Sequence, residues 1–182
     1  MFLIGISGIT NGGKSKLSKL LLEHFKNSAY ICQDAYFYKR DTGKLEFKPE
    51  LNSHNYDTIE AVDSEKFLAD LDNLIRNSSE CDFVFVDGFM IYAYDDLVEK
   101  FDKKYFFILD KEECLKRRLS RNYKTVGSLE YFEQLVWPNY ISYYEKCSNG
   151  ICKDFVYLNG RDDFNHIFES VKFQLNEIKN SE

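Results

Sequence analysis

The sequence predicts an α/β fold: five parallel strands in one sheet, helices on both faces, and a short lid. Three observations carry that prediction. Short apolar runs of strand length alternate along the chain with stretches of helical periodicity, the pattern of a parallel sheet covered on both sides. A glycine-rich turn joins the first apolar run to the first helical one. Several strand ends carry a carboxylate, and open parallel sheets bind their ligands outside the carboxyl ends of their strands. At 182 residues the chain is expected to form one domain over 1–182, with a substrate-side loop over about 36–57 and a lid over about 116–128.

The first strand is the apolar run Phe2 to Ser7, and Lys14 to Lys26 follows it as a helix with Leu17, Leu20, Leu21 and Phe25 at helical spacing. Between them Gly8-Ile9-Thr10-Asn11-Gly12-Gly13-Lys14-Ser15 fits G-x-x-x-x-G-K-S/T at every fixed position. The glycines let the backbone turn tightly and point N–H groups inward, while the helix aims the positive end of its dipole at the same place. A phosphate is the natural occupant. Gly8, Asn11, Gly12, Gly13, Lys14 and Ser15 are thus the expected ATP-binding residues, Lys14 reaching the β- and γ-phosphates and the Ser15 hydroxyl serving as a ligand of Mg²⁺.

Ala29 to Cys32 reads as the second strand and ends in Gln33-Asp34, so Asp34 is a site candidate. From Tyr36 to Asn55 no period is visible, and Asp41-Thr42-Gly43 and Pro49 mark turns. Tyr56-Asp57 precedes a helix with Phe67, Leu68, Leu71, Leu74 and Ile75 on its apolar face and Asp63 or Ser64 as its N-cap. Phe83 to Val86 is an apolar run typical of a buried central strand, and the Asp87 that ends it suits coordination of Mg²⁺.

Tyr105 to Leu109 is the fourth strand. Asp110 to Glu113 has capping-box spacing and opens a helix whose end is basic, with Lys116, Arg117, Arg118 and Arg121 ahead of a loop containing Gly127. Arginines so placed can fold over a transferring phosphoryl group. Leu129 to Lys146 is a long aromatic helix that Trp137-Pro138 should kink or split. Asp154 to Leu158 is the fifth strand, Asn159-Gly160 turns the chain, and Asp163 to Lys179 closes it with Ile167, Val171, Leu175 and Ile178 inward.

Composition excludes several classes. A formal net charge of −6 argues against a nucleic-acid polymer as partner, and no apolar run reaches the roughly 18 residues of a membrane span. The chain enters a strand at once, so no cleavable targeting segment is expected and the cytoplasm is the expected location. Cys32, Cys81, Cys114, Cys147 and Cys152 form no C-x-x-C pair and no metal spacing with histidine, and read as reduced, packing thiols.

Taken together, Gly5 to Ser15, Gln33-Asp34, Tyr56-Asp57 with Glu60-Ala61, Asp87-Gly88-Phe89, Arg117-Arg118 with Arg121 and Tyr123, Val136 to Tyr140, and Val156 to Gly160 resemble the nicotinamide riboside kinases, within the wider uridine kinase and phosphoribulokinase group. The resemblance implies a P-loop kinase of three layers, α/β/α, with strand order 2-3-1-4-5. It also implies transfer of the ATP γ-phosphate, with Mg²⁺, to the 5′-hydroxyl of nicotinamide riboside, giving nicotinamide mononucleotide for NAD synthesis. By the same likeness Asp34 faces the 5′-hydroxyl, Asp57 holds the ribose diol with help from Arg118, and Tyr56 and Tyr123 flank the base. A carboxylate can deprotonate a hydroxyl or accept two hydrogen bonds from a cis-diol, so the chemistry agrees. Arg121 is the candidate for stabilising charge on the phosphoryl group.

Two departures stand out. At Asp87 the family commonly has Glu, so the carboxylate here is one methylene shorter and contact with Mg²⁺ is either direct or through water. The lid stretch Lys124 to Ser128 lacks the expected proline-containing segment. His54 and Trp137 rank below the other candidates. A uridine–cytidine kinase and a non-catalytic nucleotide-binding module are the alternative readings.

Overall fold

The computed structural model describes residues 1–121, 128–149 and 154–181. Its main sheet contains β1 (Phe2–Gly8), β2 (Ser28–Cys32), β3 (Phe83–Asp87), β4 (Lys103–Ile108) and β5 (Phe155–Asn159), all parallel, in the order β2-β3-β1-β4-β5. This is the expected order. The central position of β1 follows from its register, which pairs Phe2 with Phe83 on one side and Gly8 with Phe107 on the other. β3 is buried along its whole length, as its unbroken apolar run requires.

Side chains alternate across the sheet and seed two cores. On one face Ile4, Ile6, Phe83, Phe85, Tyr105 and Phe107 pack with Leu17 and Leu21 of α1 (Lys14–His24) and with Ile167, Val171 and Leu175 of the C-terminal helix Phe164–Asn180. On the other, Leu3, Val84, Val86 and Phe106 pack with Phe67 and Leu71 of α2 (Ser64–Asn77) and with the aromatic helix that follows the lid region. Asp63 is the N-cap of α2, its side chain accepting from the Lys66 N–H, which settles the choice between Asp63 and Ser64. The basic helix is α3 (Lys111–Leu119), capped by Asp110.

Pro138 neither breaks nor splits its helix. Leu129–Tyr131, a π-helical stretch Phe132–Val136 and Trp137–Asn149 run on as one segment, α4. The Trp137 N–H donates to the Phe132 carbonyl, five residues back. This wider turn just before the proline supplies the adjustment that a strict α-helical register, with its missing N–H and ring clash, would have to find by kinking.

The aperiodic stretch 36–57 is tied down by short elements instead of a long one. Arg40–Thr42 and Pro49–Leu51 are 3₁₀ turns, and Phe47–Lys48 pairs antiparallel with Ser53–His54. Tyr38 N–H reaches Ala61 O at 2.9 Å, and Leu45 is buried. Elements this short leave no periodicity to detect. Cys32, Cys81, Cys114 and Cys147 are thiols, and there is no disulfide among the described residues. Among those residues no helix is long and apolar enough to cross a membrane.

One backbone approach positions the glycine turn. Gly8 has φ +115°, and a Cβ there would lie 2.2 Å from the Phe107 carbonyl oxygen. Gly8→Ala therefore combines a strained φ with a backbone collision, and should destabilise the fold by about 1–3 kcal/mol or more, read as a lower urea midpoint at unchanged m-value.

Candidate active site

The turn after β1 forms the floor of the site. Ile9 N–H donates to Phe107 O at 3.0 Å, holding the loop on β4, while Gly13, with φ +124°, starts α1. Lys14 is buried and folds back on the loop, its Nζ donating to Gly8 O at 2.9 Å and Ile9 O at 3.0 Å. Burial lowers its pKa, opposed by the charges of Asp34 and Asp87. Lys14 thus spends its donors on carbonyls that a phosphate could replace, next to two carboxylates that favour its charged form.

Two clefts open on this floor. A cavity of 170 Å³ is lined by Phe37, Tyr56, Asp57, Phe89 and Arg118 together with Thr10, Lys14 and Asp34. A second, of 150 Å³, is lined by Asn11, Gly13, Ser15, Lys16 and Arg121, again with Thr10, Lys14 and Asp34. The first gathers the predicted riboside residues, the second the predicted nucleotide residues, and they meet at Lys14 and Asp34. Tyr123, the other predicted ring beside the base, lies outside the described residues, as do the rest of residues 122–127 of the predicted lid.

Asp34 follows β2 in a 3₁₀ turn, Gln33–Tyr36. The protein wall around its carboxyl raises its pKa; Lys14 opposes this, Asp87 adds to it, and a bond from the Phe89 N–H opposes it. Gln33 beneath is buried, and its side-chain oxygen accepts from Met90 N–H at 2.9 Å. That bond links the turn after β2 to the turn after β3.

Asp57 is 8% exposed, and burial raises its pKa against the pull of Arg118 and of a hydrogen bond from Tyr131. Arg118, only 4% exposed, lies with its guanidinium 5.7 Å from the centre of the Tyr131 ring. The Tyr131 hydroxyl accepts from Tyr56 N–H at 3.0 Å, and its single proton serves either His54 O, at 3.2 Å, or the Asp57 carboxylate. One fully buried tyrosine therefore fixes both predicted substrate residues, Tyr56 through its backbone and Asp57 through its side chain.

The basic cluster on α3 divides into separate roles. Arg118 lines the first cleft and Arg121 the second. Arg117 is a tie: it pairs with Glu113 at 2.6 Å and donates to Asn11 O at 3.3 Å and Gly160 O at 2.9 Å, bolting α3 to the loop and to the end of β5. Asp87 is fully buried, and among the described residues it lines neither cleft. Its Oδ1 accepts from the Tyr30 hydroxyl at 3.0 Å, while Oδ2 has no hydrogen-bond partner among the described residues. A buried polar atom left unsatisfied costs about 1–3 kcal/mol, and more when charged, so this oxygen is suited to a cation or an ordered water.

The two lower-ranked candidates lie elsewhere. The His54 ring packs on Phe47 at 5.1 Å, and Trp137 packs on Tyr140 at 5.4 Å. Thr10, Phe37, Phe89 and Tyr131 were not singled out from the sequence. Phe37 and Phe89 adjoin motif residues, which was their only signal; Tyr131 was one of many aromatics in a helix, and nothing local marked it.

Fold and site together define a P-loop kinase acting on a small molecule. Among solved structures the chain is similar to a sugar kinase from Janibacter sp. HTCC2649 (TM-score 0.64, 11% identity, 97% of this chain and 95% of that one) and to a gluconokinase from Sinorhizobium meliloti 1021 (TM-score 0.59, 15% identity, 99% and 94%). These likenesses concern the fold. No protein-family profile matches the chain. It is 31% identical to nicotinamide riboside kinase 1 of Mus musculus, covering 96% of this chain and 95% of that protein, and 31% identical to nicotinamide riboside kinase 1 of Homo sapiens, covering 93% and 89%. The nicotinamide riboside kinase of Saccharomyces cerevisiae is 28% identical over 77% of this chain and 76% of its own length. The chain belongs to the nicotinamide riboside kinase family.

Tyr131→Phe keeps the ring beneath Arg118 but strands the Tyr56 N–H and a bond to Asp57. It should cost about 1–3 kcal/mol in chemical unfolding, a loss that Phe132→Leu, which alters only packing, would not link to weaker riboside binding.

Proposed function

We propose that the protein transfers the γ-phosphoryl group of ATP to the 5′-hydroxyl of nicotinamide riboside, producing nicotinamide mononucleotide and ADP. The carrying observation is that the two clefts share Lys14 and Asp34, so a hydroxyl in one and a terminal phosphate in the other would meet at a cation and a carboxylate. Membership of the family, and the activity for which its relatives are named, support the choice of riboside. The chemistry of Asp34 and Asp57 and the spacing of the glycine loop agree with it.

In this mechanism Asp34 accepts the proton of the 5′-hydroxyl as the oxygen bonds to the γ-phosphorus and the bond from that phosphorus to the β–γ bridging oxygen breaks. The electron pair leaves with ADP. Lys14 exchanges the carbonyls of Gly8 and Ile9 for phosphate oxygens, and Arg121 neutralises charge that develops on the transferring group. Asp57 accepts both hydroxyls of the ribose diol, with Arg118 holding that carboxylate in place. The groups fit Mg²⁺: the Oδ2 of Asp87, buried and unpartnered among the described residues, and the Ser15 hydroxyl are oxygen donors, and Mg²⁺ characteristically keeps waters and phosphates with one or two protein ligands. Ser15 and Asp87 would hold it, and when bound it neutralises phosphate charge. The thiols, with no disulfide among the described residues, support a cytoplasmic setting.

The pyridinium ring of the riboside carries a positive charge. Tyr56, with Phe37 edge-on at 5.9 Å, gives it an aromatic wall, and a cation against such a face gains about 0.5–2 kcal/mol. Uracil gains only stacking. Tyr56→Leu should therefore cost nicotinamide riboside more in kcat/KM than uridine, whereas Asp57→Ala should weaken every riboside and leave ATP affinity in place. A panel of nicotinamide riboside, nicotinic acid riboside, uridine and cytidine with Mg·ATP is the direct test, and equal or higher kcat/KM for a pyrimidine nucleoside would overturn the assignment.

Asp34 must be ionised to accept a proton, and its pKa is raised. Activity should fall as pH drops through that raised pKa, so the acid limb of kcat/KM lies above the ordinary aspartate range. Asp34→Asn should remove that limb and lower kcat by about 10²–10⁴, with ATP affinity little changed.

A further inference from the structure

Asp87 is the shortest carboxylate that could end β3, and its neighbours on β2 hold it. β2 and β3 run in register, Tyr30 opposite Phe85 and Cys32 opposite Asp87. Alternation puts all four side chains on the α1 face of the sheet, and Tyr30 packs there against the core that includes Phe83, Phe85 and Leu17. At the top of this column the Tyr30 hydroxyl donates to Asp87 Oδ1 at 3.0 Å, and the Cys32 thiol is hydrogen-bonded to the same carboxylate. Oδ2 is buried with no partner among the described residues. Asp87 also lies close enough to Lys14 for their charges to interact.

A carboxylate on a single methylene can turn about its last bond and offer either oxygen. The Tyr30 hydroxyl removes that freedom by engaging Oδ1, with Cys32 beside the same carboxylate. The arrangement leaves the other oxygen, desolvated and unsatisfied, to be completed by something that enters the site. We propose that Tyr30, assisted by Cys32, is a positioning residue that orients Asp87 so that Oδ2 is presented to the cation of a bound Mg·nucleotide. The inference rests on the Mg·ATP reading of the site and adds to it a residue on the edge strand β2.

Partners that orient a metal-binding carboxylate commonly change metal affinity by about 10–100-fold when removed.

The test is calorimetric and does not depend on turnover. ADP is titrated into wild type, Tyr30→Phe and Cys32→Ala, each with EDTA and with saturating Mg²⁺, and the ratio of the two Kd values measures how much the cation tightens binding. Tyr30→Phe should keep the wild-type Kd in EDTA and lose about tenfold of the tightening. Cys32→Ala should lose less, since a thiol is the weaker donor, and it repeats the test at the second donor if Tyr30→Phe does not fold. The Mg²⁺ concentration for half-maximal activity should rise in the same order, with kcat recovered at high Mg²⁺. Wild-type tightening in both variants, or a Kd weakened equally with and without Mg²⁺, would overturn the positioning role while leaving the nucleotide site intact. Absence of any Mg²⁺-dependent tightening in the wild type would overturn the Mg·ATP reading and the inference with it.

Discussion

The contact on which the molecule depends is the seating of the glycine turn on β4. Gly8 meets the backbone of Phe107 with no room for a side chain, and Ile9 N–H hydrogen-bonds to the same residue. At the far end of the turn, Gly160 comes so close that a Cβ on it would lie 2.9 Å from the Gly12 carbonyl oxygen. Three successive neighbours, β1, β4 and β5, therefore share one backbone surface. At Gly8 and Gly160 there is no room for a side chain, so peptide groups meet there directly.

Charge is arranged on this surface by burial as much as by pairing. Lys14, Asp34 and Asp57 all have pKa values displaced first by loss of hydration and only then by neighbouring charges. In each case the displacement is towards the neutral form. A ligand bearing phosphates, a ribose diol and a positive ring would supply the missing partners: anionic oxygens for Lys14, hydroxyls for Asp34 and Asp57. The ligand-free site is thus held together at a cost that binding relieves, which suits a site whose groups must act on a ligand and not on each other.

Arg117 and Tyr131 show how the parts are kept in step. Arg117 ties α3 to the glycine turn and the end of β5, and Tyr131 ties the start of α4 to the segment carrying Tyr56 and Asp57. These two helices border the lid region on either side. The glycine turn is therefore fastened to the helix before residues 122–127, and the Tyr56-Asp57 segment to the helix after them.

Much of this was legible in the chain. Strand and helix periods, the G-x-x-x-x-G-K-S spacing and the carboxylates at strand ends are local signals, because they arise from the geometry of single elements, and they sufficed for the fold class and for Lys14, Asp34 and Asp87 as candidates, while Asp57 came from the family resemblance. What they could not contain is anything that depends on which residues face each other across elements. The separation of Arg117 from Arg118 and Arg121 is a matter of helix rotation against the loop. The survival of α4 through Pro138 depends on a single i→i−5 turn. Tyr131 and Tyr30 were ordinary aromatics in sequence, and acquire meaning only because packing delivers their hydroxyls to Asp57 and Asp87. Local physics chose the elements and the chemistry-bearing side chains; long-range packing chose their partners, since a hydrogen bond between residues 57 or 74 positions apart leaves no periodic trace in the chain.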